Sequence, residues 1–216
     1  MKQYNYIFCD FDRTLVNTIK GTREAATYAL SKFGIEEHNE DLGKIFCGPP
    51  LKESFKKFGL CDEQISKAIS FYRQYQFENT IETNEVYSGI NEVLEKLKEK
   101  GKILIIATAK YEETTIKILK YLKIYKYFDF VYGVTEKSER ITKKDILSYA
   151  LNNLNNIENK KCIMIGDRSS DIIAGKANDM DTIGVLYGMD NKEMLEKAGA
   201  TFLVNKPLDI LRIIEE

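Results

Sequence analysis

Two hydrophobic periodicities alternate along most of the chain. Short apolar runs rich in β-formers occupy Tyr6-Ile7-Phe8-Cys9, residues 102–107 and residues 161–165. They are continuous rather than alternating, as expected for parallel strands covered on both faces. Weaker runs predict strands at 128–132, 182–186 and 200–204. Between them lie helical patterns. Ile90, Val93, Leu94 and Leu97 fall at i, i+3, i+4 and i+7, and Gly101 closes that helix. Further helices are predicted at 112–123, from Thr142 through Ile146, Leu147, Ala150, Leu151 and Leu154, at 170–177, and after Pro207. Strand and helix alternating in this way specify an α/β fold with a parallel sheet wrapped on both sides.

Residues 18–85 break the alternation and carry helical patterns only. One helix runs through 24–33 into Gly34, a second through 51–58 into Gly59, and a third begins at Asp62 as its N-cap and passes through Phe71, Tyr75 and Phe77. Gly48-Pro49-Pro50 forms a stiff turn before the second. The expected organisation is an α/β core from residues 1–17 and 85–216 with an all-helical unit, 18–84, inserted after the first strand.

Ligands of such sheets sit beyond the carboxyl ends of the strands. The first three strong strands end in polar residues: Asp10, Thr108, and Gly166-Asp167. Asp10 and Asp12, spaced one apart, point to one face if the strand continues. Two carboxylates there are costly to bury without a cation or hydrogen-bond donors. Asp167 and Asp171 add two more acids. At ~4 Å and an effective dielectric of about 20, each like-charge pair costs about 4 kcal/mol. Hard carboxylate oxygens suit magnesium. The Thr108 hydroxyl and the next backbone N–H, of Ala109, are suited to hold an anionic oxygen. The plain alternatives are a strand-to-helix cap at Thr108, an N-cap at Asp171, and solvated helix-start charges at Lys143 and Lys144.

Asp10-Phe11-Asp12-Arg13-Thr14-Leu15 resembles the first motif of the haloacid dehalogenase superfamily, Asp-x-Asp-Gly-Thr-Leu. Thr108 resembles the second motif, Lys143-Lys144-Asp145-Ile146-Leu147 the third, and Gly166-Asp167-Arg168-Ser169-Ser170-Asp171 the fourth. The four occur in family order and span essentially the whole chain. The resemblance implies a Rossmann-like core with a helical cap, and a magnesium-dependent, phosphoglycolate-phosphatase-like phosphatase acting on a small phosphomonoester. It implies Asp10 as nucleophile, Asp12 as general acid and base, and Thr108, Ala109 and Lys143 as the phosphate-binding set, with Lys144 the alternative to Lys143. It implies a metal held by Asp10, the Asp12 backbone carbonyl and Asp167, with Asp171 orienting waters or Lys143. Gly48, Pro49 and Lys52 of the cap are candidates for substrate selection, although Lys52 also reads as a solvated helix charge.

Arg13 departs from the motif. Arginine tolerates a positive φ poorly, so φ below zero is expected, with the side chain turned outward to a cap acid or solvent. Substrate contact by Arg13 is the second reading.

Composition narrows the rest. A net charge of −1 creates no field favouring nucleic acid or a membrane. Cys9, Cys47, Cys61 and Cys162 have neither zinc nor redox spacing and read as small hydrophobes in a reducing compartment. The single His38 sits in a polar stretch and reads as a solvated loop residue. No secretory leader or membrane span is evident, so a cytoplasmic location is expected. Oligomeric state is not readable. Two rivals stay open: a β-phosphoglucomutase-like phosphomutase, and a non-catalytic binding module that retains the fold. A haloacid dehalogenase would not need Asp12 or the fourth-motif acids.

Overall fold

The first strand lies at the centre of the sheet, so its pairing partners come from far along the chain. The computed structural model describes residues 3–37, 39–136, 140, 142–154 and 158–215. His38 lies outside them. In chain order the elements are β1 (Tyr6–Cys9), β2 (Val16–Asn17), α1 (Ile19–Ser31), α2 (Leu42–Phe46), α3 (Leu51–Lys56) and α4 (Asp62–Asn79). They continue with β3 (Glu85–Val86), α5 (Ile90–Glu99), β4 (Ile103–Tyr111), α6 (Glu112–Tyr121), β5 (Phe130–Val134) and α7 (Lys143–Asn153). The last are β6 (Cys162–Gly166), α8 (Ser169–Ala177), β7 (Asp181–Val185), α9 (Lys192–Lys197), β8 (Phe202–Val204) and α10 (Asp209–Glu215).

Six strands form one sheet in the order β5-β4-β1-β6-β7-β8. Every neighbouring pair is parallel. Alternation along β1 shows why its sequence is apolar throughout. Ile7 and Cys9 join the core beneath α5, α6 and α10, whereas Phe8 joins the core beneath α7 and α8. Both faces are therefore dry, and the end of β1 is where polar side chains first meet open space.

Helices α1 to α4 enclose a separate apolar cluster that includes Ala26, Leu30, Phe46, Phe55, Ile65 and Tyr72. Where the chain passes between this helical unit and the sheet, β2 and β3 pair antiparallel, Val16 with Val86 and Asn17 with Glu85. The sequence did not suggest these strands, because two-residue pairings carry no periodicity.

Three local expectations are corrected. Asp62 is the first residue of α4, not its cap; Cys61 holds the N-cap, and its N–H donates to the Gln64 side chain at 3.0 Å. The second strong strand does not end at Thr108 but runs on to Tyr111, with a register shift between Ala107 and Tyr111. Such a bulge re-aims side chains beside a site. Arg13 has φ +67°, not a negative φ. The cause is the tight turn after β1, in which Arg13 N–H donates to Val16 O at 2.7 Å and Val16 N–H donates to Phe11 O at 3.2 Å.

Candidate active site

Asp10 follows the last residue of β1 and is buried. Lys143, the first residue of α7, is buried beside it. Its ammonium donates to Asp10 and, at 2.9 Å, to the Ala107 carbonyl, and lies 3.0 Å from Asp171 Oδ1. A lysine at a helix N-terminus faces an unfavourable macrodipole, and here two carboxylates offset it. Lys144 is exposed. Of the two lysines, the structure brings only Lys143 to the strand ends.

Asp167 follows β6, and Asp171 lies in the first turn of α8; each is 1% exposed. Asp171 Oδ2 accepts from the Arg168 N–H at 3.1 Å, leaving Oδ1 for Lys143. It is both a helix-start acceptor and part of the site. Gly166 makes this possible, because a Cβ there would run into the Asp171 carboxyl. Asp167 accepts from the Met189 N–H at 2.9 Å and from the Thr14 hydroxyl at 3.4 Å.

Asp10, Asp167 and Asp171 each present a carboxylate oxygen, and the three lie within 4.8 Å of one another. Burial raises the Asp10 carboxyl to about 6; Lys143 opposes that shift, and Asp171 and Asp12 add to it. Burial, then Asp10 and Asp171, push Asp167 well above the usual carboxylate range. Burial alone would lower the Lys143 ammonium, but Asp10 and Asp171 more than reverse it, and it titrates above its ordinary value. One lysine does not balance three buried acids. A hard, all-oxygen donor set with excess negative charge fits a divalent cation.

Asp12 is half-buried, with its Oδ1 3.3 Å from Lys110 Nζ. Thr108 is buried and accepts from the Lys110 N–H at 3.3 Å, so its own proton is free to be donated. Asp10, Asp12, Thr108, Ala109, Lys110, Lys143 and Asp171 all line one cavity of about 280 Å³. The helical unit contributes the rest of its wall, including Gly48, Pro49 and Lys52. Lys52 also pairs with Asp62 at 3.2 Å and is largely exposed.

Arg13 does not line the cavity. Its guanidinium donates to the Gly188 carbonyl at 2.7 Å, in the loop after β7, rather than reaching a cap acid or solvent. A charge-assisted bond of this kind, at ~1.5–3 kcal/mol, offsets the ~1–2 kcal/mol of a left-handed non-glycine residue.

Sequence reasoning missed several residues. Arg168 reaches from the loop after β6 and donates to the Cys47 carbonyl of the helical unit. Gly48 has φ +102°, and a Cβ there would meet that arginine. Asp190 is buried and accepts from both the N–H and the hydroxyl of Ser169, each at 2.7 Å, fixing the start of α8. On α4, Ile69, Tyr72, Arg73 and Gln76 also line the cavity. Their i, i+3, i+4, i+7 spacing was the available signal for a helix face turned toward one surface.

In this parallel sheet the central strand ends in an acid, and a lysine and two further acids converge on it beside the helical unit. The chain belongs to the haloacid dehalogenase-like hydrolases, whose family model matches residues 6–185. It is a phosphatase-class enzyme of that family. A predicted phosphatase from Clostridium acetobutylicum is 37% identical, with a TM-score of 0.91 over 99% of this chain and 100% of that one. The 5'-nucleotidase of Pseudomonas aeruginosa is 30% identical over 89% of this chain and 87% of its own length. Tyrosine-protein kinase PtkA of Mycobacterium tuberculosis is 29% identical over 92% of this chain and 68% of its own length. The names of these relatives differ in activity, so substrate must be argued from the site.

Proposed function

We propose that the protein is a magnesium-dependent phosphatase that hydrolyses a small-molecule phosphomonoester through an aspartyl-phosphate on Asp10. The observation that carries this reading is the position of Asp10. It follows the central strand, is held by Lys143, and lines a cavity that α4 also lines.

In the first step an Asp10 oxygen attacks phosphorus. The bond to the leaving oxygen breaks, and that oxygen takes the proton of the Asp12 carboxyl. In the second step the Asp12 carboxylate takes a proton from water, whose oxygen attacks the phosphorus of the aspartyl-phosphate. Inorganic phosphate leaves, and the Asp10 carboxylate is restored. Lys143 and the Thr108 hydroxyl, with the Ala109 N–H, are suited to receive the phosphoryl oxygens. The Asp10, Asp167 and Asp171 carboxylates and the Asp12 backbone carbonyl would hold the magnesium ion. When bound, the ion supplies positive charge that offsets repulsion between carboxylate and phosphate. Residues 18–84 are read as a cap that excludes water over the site. The expectation that Asp171 only orients its neighbours is widened here, because its carboxylate lies as close to the cluster as the other two.

The test is release of inorganic phosphate from a phosphomonoester panel, with magnesium and with EDTA, together with mass spectrometry of acid-quenched enzyme. Magnesium-dependent release and a phosphoryl group on Asp10 are expected. Full activity in Asp10→Asn would refute the mechanism.

A further inference from the structure

The four α4 residues that face the cavity differ in one respect. Tyr72 and Gln76 are buried and bonded to each other, the Gln76 amide donating to the Tyr72 hydroxyl at 3.2 Å. Ile69 has no polar group. Arg73 is the exception: its Nε is shielded from solvent and has no hydrogen-bond partner. Its guanidinium lies over the Tyr111 ring, 4.8 Å from the centroid, at the end of β4. Stacking of this kind holds the guanidinium plane and leaves its edge donors free. Burial lowers its pKa from the ordinary value, with Tyr111 and then Glu136 opposing.

Each other cation on the cavity wall is engaged. Lys143 is bound to Asp10 and Asp171, Lys110 to Asp12, Arg168 to the Cys47 carbonyl, and Lys52 to Asp62. Arg73 is thus the cation with an unmade bond on the part of the wall that α4 contributes. The departing part of a phosphomonoester whose phosphorus is at Asp10 extends into the same cavity. A guanidinium fork matches a carboxylate or a phosphate group in two parallel hydrogen bonds. Leaving the Nε–H unmet away from solvent is costly, so a partner arriving with substrate is favoured.

We infer that Arg73 is a specificity residue that binds a second anionic group on the leaving group, so that the preferred substrates are phosphomonoesters whose leaving group itself carries a carboxylate or a phosphate. The inference rests on the phosphatase reading above. It moves the role of cationic selector from Lys52, which is exposed and paired, to a half-buried arginine with an unmade Nε–H bond on α4, the next helix.

The experiment compares kcat/KM for three esters of matched primary alcohols: phosphoglycolate, ethylene glycol bisphosphate and 2-hydroxyethyl phosphate. Wild-type enzyme should prefer at least one anionic member over the neutral one by about 30-fold, or ~2 kcal/mol. Which member wins tells carboxylate from phosphate. Arg73→Met should remove that preference while sparing 2-hydroxyethyl phosphate, and Arg73→Lys should restore part of it. A wild-type enzyme without the preference overturns the inference, whether or not the variants fold. So does a preference that survives in Arg73→Met. If folded wild-type protein cleaves only panel members with a neutral leaving group, the inference about Arg73 is overturned. If it cleaves none of the three and nothing else in the phosphomonoester panel, the phosphatase reading itself fails. Calorimetric titration with phosphonoacetate and ethylphosphonate then decides Arg73 separately: tighter binding of phosphonoacetate that is lost in Arg73→Met supports the site, and equal binding overturns it.

Discussion

In the metal-free protein the Asp10 carboxylate sits where its charge is disfavoured. Its pKa is raised from 3.8 to about 6, first by burial and then by Asp171 and Asp12, with Lys143 opposing. In the unfolded chain it returns to the ordinary value. Between the two values the folded state binds more protons than the unfolded state, so stability falls as pH rises. The penalty is absent below the lower value and complete above the upper one. A separation of about two units amounts to ~3 kcal/mol. Asp167 shifts in the same direction and steepens the slope. Asp10→Asn removes this titration, keeps the shape, and still offers Lys143 an acceptor. In EDTA at pH 7.5 the variant should be more stable than wild type by ~1–3 kcal/mol, or roughly 3–10 °C in Tm. At pH 4 the gain should nearly vanish. Magnesium should reverse the order at pH 7.5, because an ion at 100 times its Kd adds ~2.7 kcal/mol to the protein that binds it. Thermal melts of both proteins across pH, with and without magnesium, provide the assay. A variant no more stable than wild type at pH 7.5, or a gain independent of pH, would refute the reasoning.

Three further outcomes are expected. Lys143→Met leaves Asp10 and Asp171 buried without their cation; the loss at neutral pH should be ~3–5 kcal/mol in urea unfolding and smaller near pH 4, where the acids are protonated. Asp12→Asn should slow turnover by about 10²–10⁴-fold and let phosphoryl-enzyme accumulate in rapid-quench experiments, with poor leaving groups hit harder than good ones in the first step. Equal slowing of both would remove Asp12 as the acid. Arg13→Gly relieves the positive φ and forfeits the bond to Gly188, so stability should change by less than ~1 kcal/mol; substrate ranking should not change, because Arg13 is not on the cavity wall, and a re-ordered ranking in the phosphate-release panel would contradict this.

The strands that build the sheet were legible because burial on both faces leaves one signature, a continuous apolar run, and β1, β4 and β6 carry it. β5 and β8 carry it weakly, and each begins two residues later than expected. The placing of acids at the strand ends was legible for a related reason: charge at the end of such a run has no bland explanation in bulk. Arg13 was misread because its conformation is imposed by the Val16 and Phe11 hydrogen bonds, and a residue's own preference does not report its neighbours' demands. Arg73 and Arg168 were invisible for another reason. A cation on a helix face or in a loop reads as solvated until the surface it meets is known, and that surface is contributed by residues far away in sequence. Residue type reported what each position could do, and only the fold reported what it faced.

The pairing of β2 with β3 has a consequence for how such a protein can change. The chain leaves the sheet at Val16 and Asn17 and returns at Val86 and Glu85, directly opposite. Paired residues of an antiparallel ribbon are only ~5 Å apart, so the interrupted chain is already closed at the point of interruption. The entropy of closing a loop grows slowly with its length, about 0.6 kcal/mol per doubling. To the six-stranded sheet, then, an insertion of any size looks much like a short hairpin turn. What lies beyond the ribbon can lengthen, shorten or be exchanged while β1 keeps its register between β4 and β6. Asp10 is held by one part of the chain and the α4 part of the cavity wall by another, so selection can rewrite that wall without moving the acids at the strand ends.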